Sequence, residues 1–228
     1  VDEKKSVRSG LIEALPLAIA IAAYGLSYGV LASQAKFGLA ETVGMSLLVF
    51  SGSVQMVTVA MLAADANLTN ILFTTVLLNL RNLLYGAALA QGIAPAGKWR
   101  WLLSFGVTDE PFVLGSARFK RYGPDPLYYA IVTGTLYLAW IISSLSGALI
   151  GNRMDPQQWG LDLAFPVTFM ALLIPGLKEN PVIATALSAA VIAVVLEYFF
   201  SGNNFTLILT GVLSPLIGLY VKRRFRHD

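Results

Sequence analysis

Long uncharged runs separated by short charged stretches set the pattern of this chain. Residues 14–35, 42–64, 126–152 and 198–221 contain no Asp, Glu, Lys or Arg. Each reaches or exceeds the ~20 residues that a helix needs to cross the hydrocarbon of a bilayer. With the weaker runs between them they predict eight spanning segments, at 11–33, 42–64, 69–91, 102–117, 126–150, 163–177, 181–200 and 205–221. The expected fold is an all-α integral membrane protein of about eight transmembrane helices.

The polar positions inside those runs carry more information than the runs themselves. Ser51, Gly52, Ser53 and Gln55 interrupt the second segment at mid-depth, and Thr108, Asp109, Glu110 and Pro111 interrupt the fourth. Flexible and hydrogen-bonding residues at such depth need internal partners or a water-lined cavity, and carriers use broken helices to expose backbone groups to substrate. Both segments therefore read as broken helices, the fourth as a discontinuous span or a re-entrant piece. The plainer readings are serines bonded back to their own helix and, for the fourth segment, an amphipathic helix lying on the surface. The third segment has Asn79, Arg81, Asn82 and Tyr85 on its middle turns, with Asn82 and Tyr85 predicted to share a face. Arg81 lies too far from either helix end to snorkel. It needs a partner or an aqueous pocket, the partner being Asp109 or Glu110, and a purely structural ion pair is the plainer alternative. Gly25 and Gly29 in the first segment permit close helix contact.

The basic, Gly- and Pro-containing stretch 118–125 divides the chain near its midpoint, into repeats at 1–121 and 122–228. With a shift of 110, Pro16, Leu17, Ala20, Ile21, Leu26 and Ser33 meet identical residues at Pro126, Leu127, Ala130, Ile131, Leu136 and Ser143. With a shift of 115, the break after Phe50 meets Pro166, Val167 and Thr168 after Phe165. Two sets of four segments would share one orientation; inverted three-helix repeats fit the hydropathy nearly as well. In the second half Glu197 is the one charge deep in an apolar run, either a second ionisable site or a helix-end group beside Tyr198 in reach of water.

Composition agrees with the pattern. The chain is 56% hydrophobic and 13% charged, with a mean hydropathy of +0.68, which leaves too little polar surface to solvate a globule. The absence of cysteine removes disulfides and thiolate chemistry, and the single histidine, His227, lies in the charged tail. No metal site, cofactor or enzymatic reaction is expected. No glycine-rich phosphate loop with lysine occurs, so energy for any work would come from a gradient. The amino end lacks the pattern of a cleavable signal. Basic residues gather at Lys4, Lys5 and Arg8, at Arg118, Lys120 and Arg121, and at Lys222, Arg223, Arg224 and Arg226. The positive-inside rule puts these clusters, and both termini, on the cytoplasmic side of an inner membrane. Lys36, Lys98, Arg100 and Arg153 are expected outside. Such a charge pattern speaks for a lipid bilayer and not for nucleic acid.

Three spaced motifs carry a family resemblance: Ser51, Gly52, Ser53, Val54 and Gln55; Asn79, Arg81, Leu84, Tyr85 and Gly86; and Phe105, Gly106, Thr108, Asp109 and Glu110. In this order and over nearly the whole chain they resemble the AzlC family of branched-chain amino-acid permeases. Ser51 and Val54 depart from that family's usual Ala-rich first motif, which bears on substrate size. The resemblance implies a secondary transporter that exports branched-chain amino acids such as valine, often beside a small hydrophobic subunit of the AzlD type. A zwitterion with an apolar tail needs a carboxylate partner, an ammonium partner and an apolar wall. Ser51, Gly52, Ser53, Gln55, Asn79, Arg81, Asn82 and Tyr85 are the candidate substrate contacts. Asp109, Glu110 and Glu197 are the candidates for proton coupling. A channel or a non-transporting assembly subunit is the alternative, and the glycine-rich faces suit contact with a second copy or another subunit.

Overall fold

The computed structural model describes residues 3–153, 179–200 and 205–224, with a few single positions between the first two stretches. The expected span 163–177, its break at Pro166, Val167 and Thr168, and His227 lie outside the described residues. The architecture is the expected all-α membrane one, and among the described residues no strand occurs. Contacts group residues 1–168 and 169–228 into two units, which are taken separately.

The first unit contains α1 (Glu3–Gln34), α2 (Leu39–Leu48), α3 (Gly52–Ala63), α4 (Leu68–Ile93), α5 (Arg100–Phe105), α6 (Asp109–Tyr122) and α7 (Pro126–Ile150). A 3-10 turn, Ala94–Trp99, joins α4 to α5, with Gly97 at φ 59° turning the chain. Helices α1, α4 and α7 are long and apolar enough to cross a membrane. At 1.5 Å per residue α2 and α3, of 10 and 12 residues, reach only about half of a ~30 Å hydrocarbon layer.

The frame is α1 laid against α7. Gly10 meets Tyr128 and Ile131, Gly25 meets Trp140 and Ser143, and Gly29 meets Ser144 and Ala148, so the two helices run parallel. Small residues make this approach, as the spacing of Gly25 and Gly29 predicts. A Cβ on Gly29 would fall 2.1 Å from the Ser144 carbonyl oxygen, and one on Gly147 would fall 2.2 Å from that of Leu26. Tyr24, Tyr28 and Trp140 fill the core of this pair, Trp140 stacking on Tyr28 at 5.7 Å.

Helix α4 runs the other way. Its Tyr85 stacks on Phe112, its Leu89 reaches Gly115, and its Gly92 abuts Phe119, so it descends in step with α6. Helix α6 in turn ends where α7 begins, with Gly115 against Tyr129 and Arg118 paired to Asp125. These directions decide what the two breaks do. From the far end of α1, α2 descends until Tyr137 donates to the Leu47 carbonyl, at mid-depth; α3 starts beside Tyr24 and climbs back to meet the start of α4. From the near end, α5 climbs to Phe105, which packs on Tyr137, and α6 returns. The run 42–64, read from its hydropathy as one span with a break, is thus an in-and-out hairpin. A second hairpin opposes it from the other side.

This arrangement corrects two expectations about charge. Lys98 and Arg100 follow the lower end of α4 and so join Lys4, Lys5, Arg8, Arg118, Lys120 and Arg121 at one end of the unit; among its described basic residues Lys36 and Arg153 sit at the other. Counted from hydropathy alone, the crossings put Lys98 and Arg100 outside. A returning hairpin adds no crossing, which moves them.

The second unit is a helical hairpin, α8 (Asn180–Phe200) and α9 (Phe205–Arg224). Gly218 of α9 faces Thr185 and the Pro181 carbonyl of α8, so the pair is antiparallel. Lys222, Arg223 and Arg224 close its last turn.

Candidate functional site

The tips of the two hairpins form the polar centre of the first unit. At the upper tip Val49 and Ser51 leave helical geometry, Ser51 at φ −152° and ψ 96°, and α3 restarts at Gly52. Gln55, fully buried, donates 2.8 Å to the Val49 carbonyl, which also accepts from the Ser51 N–H at 2.8 Å. Gly52 lies under two aromatic rings; a Cβ there would meet Tyr24 at 2.6 Å and Trp140 at 2.9 Å. At the lower tip Thr108 is extended, at φ −130° and ψ −178°, and α6 restarts at Asp109. Pro111 does not make this break. It sits in the first turn of α6, where a missing N–H costs no helical hydrogen bond. The Gly106 carbonyl accepts from Tyr129 at 3.0 Å, which ties the tip to α7.

Both tips therefore present helix amino ends, where unpaired N–H groups carry partial positive charge. Asp109 and Glu110 offset that charge on α6, whereas the first turn of α3 holds no acidic residue. Arg81 of α4 bridges the two tips. Its Nη2 donates to Ser53 Oγ at 2.7 Å and pairs with Asp109 Oδ2 at 2.9 Å. Tyr85, one turn later, donates to Asp109 Oδ1 at 3.0 Å while its ring stacks on Phe112 at 4.2 Å. Glu110 is half-buried, with Asp109, Arg81, Tyr24 and Tyr85 as its charged or ionisable neighbours.

A different face of α4 borders a cavity of about 590 Å³. Ser51, Asn79 and Asn82 line it at mid-depth, where Asn82 donates to Asn79 at 3.1 Å. Leu83, Gly86, Ala90 and Ile93 continue the wall down α4, and Arg100 and Trp101 lie at the basic end. Phe50 and Phe105 close the opposite wall, one from each hairpin, their rings 6.2 Å apart and both against Tyr137.

The predicted residues thus fall into groups. Ser53, Arg81, Tyr85 and Asp109 make one bonded network; Ser51, Asn79 and Asn82 face the cavity; Gly52 and Gln55 shape the upper tip. Asn82 and Tyr85 meet different surroundings: Tyr85 joins Arg81, its i to i+4 neighbour, on Asp109, whereas Asn82 lines the cavity. Glu197 lies exposed on α8 and is not among the residues the first unit brings together. Phe50 and Phe105 were not foreseen as lining residues, although each immediately precedes a break.

Paired half-helices around a polar, cavity-bearing centre define a multi-spanning α-helical membrane protein of the kind that exposes backbone groups at mid-depth. The chain belongs to the AzlC family, whose description as AzlC protein matches residues 16–154; a second family, MJ1155, matches residues 159–226. It is 26% identical over 92% of its length, and 84% of the relative's, to the "Branched-chain amino acid transport protein AzlC" of Bacillus subtilis. An "Uncharacterized membrane protein" of Archaeoglobus fulgidus is 29% identical over 81% of this chain and 82% of its own. The "Inner membrane protein YgaZ" of Escherichia coli is 25% identical over 82% of this chain and 80% of its own. No solved structure matches the chain.

Proposed function

We propose that this protein is a secondary transporter of the inner membrane that exports branched-chain amino acids by alternating access, driven by protons. The observation that carries the reading is Arg81, which holds Ser53 of one hairpin and Asp109 of the other at 2.7 and 2.9 Å. A single side chain joining two half-helix tips is a contact that must open and close if the hairpins move apart. Protonation of Asp109 removes the charge that holds Arg81, and the neighbouring carboxyl of Glu110 is the second place for that proton. The AzlC relative named for branched-chain amino-acid transport supports the substrate class, and the apolar wall beside Ser51, Asn79 and Asn82 suits an aliphatic side chain. Export is the direction that the family resemblance implies, and the cavity reaches Arg100 and Trp101 at the basic end, which the positive-inside rule makes cytoplasmic, the side from which an exported substrate would load. The parallel course of α1 and α7 supports two repeats of one orientation, 1–121 and 122–228, each opening on a corresponding helix. A small AzlD-type subunit completes the assembly on this reading, and Glu197 serves as a further proton site in the carboxyl-terminal unit.

The test is counterflow of labelled valine or leucine into liposomes holding the purified chain, alone and with a small AzlD-type partner, at two imposed pH gradients. Saturable exchange that changes with the gradient is the expected result. Neutralising Asp109 and Glu110 separately should abolish the pH response in at least one variant, and full response in both would refute the coupling. Flux without saturation would indicate a channel. Absence of exchange in both preparations would refute transport of these substrates.

A further inference from the structure

The wall that α4 gives to the cavity changes character along its length. Asn79 and Asn82 are polar and sit level with Ser51; one turn past Asn82 the wall becomes Gly86 and then apolar. Gly86 is one of several described glycines with open space around it, and among them it is the one that lines the cavity. A Cβ on Gly92, two turns on, would collide with Phe119 at 1.9 Å, and one on Gly106 with Thr133 at 1.9 Å, so those glycines exist for packing. A Cβ on Gly86 meets nothing within 4 Å. It is also mid-helix, where glycine is a poor helix former compared with alanine, and α4 continues through it unbroken from Leu68 to Ile93. Neither a close helix approach nor a turn requires glycine at this position. What its missing side chain leaves is volume, on the cavity side, directly below the polar positions.

We infer that Gly86 sets the upper limit on the size of the transported side chain, the amino-acid head group lying at Ser51, Asn79 and Asn82 and its aliphatic tail pointing down α4 past Gly86. This rests on the transport reading above and deepens it. Arg81 is then not a substrate contact, because its charge is spent on Asp109 and Ser53 across another face of the helix.

The experiment is counterflow of labelled alanine, valine and leucine by the wild type, Gly86→Ala, Gly86→Val and, as a control, Gly44→Val, with a thermal unfolding curve for each. Gly44 on α2 also has open space around it but does not line the cavity. A pocket that rejects added methylenes discriminates by about 10-fold or more, so Gly86→Val should lose leucine exchange by at least about 10-fold relative to alanine. Gly86→Ala should show the same order more weakly, and Gly44→Val should leave the order of the wild type. Equal losses on all three substrates in folded Gly86 variants, or an unchanged order, would overturn the inference while leaving transport intact. A wild type inactive on all three would instead overturn the transport reading, and this inference with it.

Discussion

Two arginine–aspartate pairs close at the same distance, 2.9 Å, in the first unit, and they are built for different ends. Arg118 and Asp125, at the basic end, are 9% and 3% exposed. Asp125 accepts from Arg118 twice, from Ser6 at 2.8 Å and from the Tyr128 backbone N–H at 3.1 Å, so it also caps α7. The guanidinium lies over Tyr122 and Tyr128, whose hydroxyl donates to Glu13 at 2.6 Å. Helices α1, α6 and α7 are locked together there. Arg81 and Asp109 are 31% and 16% exposed, and Asp109 has Tyr85 as its other side-chain donor. What separates clamp from tether is therefore not the ion pair but the number of further groups satisfied around it and whether they belong to the frame or to the tips.

The comparison breaks most sharply if the two aspartates are removed in turn. Asp125→Ala leaves a buried guanidinium unpaired, which costs about 3–5 kcal/mol; the variant should fail to yield a monodisperse protein in detergent. Asp109→Asn should give protein that elutes and melts like the wild type yet shows no proton-dependent exchange. If instead Asp109→Asn collapses the fold, the central pair is a second clamp and the contrast disappears.

Arg81→Lys is the next largest effect. Lysine keeps the charge, but its ammonium ends one bond short of Nη2, the atom that meets both Ser53 and Asp109, so exchange should fall by about 10-fold with stability unchanged, as measured by initial rates in liposomes. The smallest effects come from the two serines. Ser6→Ala and Ser53→Ala each remove one hydrogen bond, a change of about 0.5–1.5 kcal/mol. The first should lower the melting temperature and spare transport; the second should slow exchange and spare melting. A reversed result would exchange the roles assigned to the two pairs.

Much of this site was legible along the chain. The breaks announce themselves because Ser51, Gly52, Ser53 and Gln55, and Thr108 to Pro111, are the wrong residues for lipid, and a charge such as Arg81 in a hydrocarbon layer demands a carboxylate. The sequence offers Asp109 and Glu110 equally for that partner, since adjacent residues have the same hydropathy; the direction in which α6 leaves its tip selects Asp109. Pro111 is the natural suspect for the lower break, yet it lies in the first turn of α6, where proline's missing N–H costs no helical hydrogen bond. Phe50 and Phe105 read as ordinary apolar residues, and their stack exists only because two hairpins 55 positions apart meet.

The order of residues is enough to establish that the chain is helical, that it is buried in lipid, where its helices break and which side chains are too polar to be there without a partner. All of these follow from composition and spacing within a single segment. Only packing between segments shows that each break turns the chain back instead of letting it cross, that Lys98 and Arg100 lie at the same end as the other basic clusters of the first unit, and that α4 gives one face to a tether and another to a cavity. Hydropathy measures how long a segment can stay in hydrocarbon and carries no sign for its direction. Direction comes from close packing between segments, here from Gly29 on Ser144, Gly92 on Phe119 and Gly115 on Tyr129.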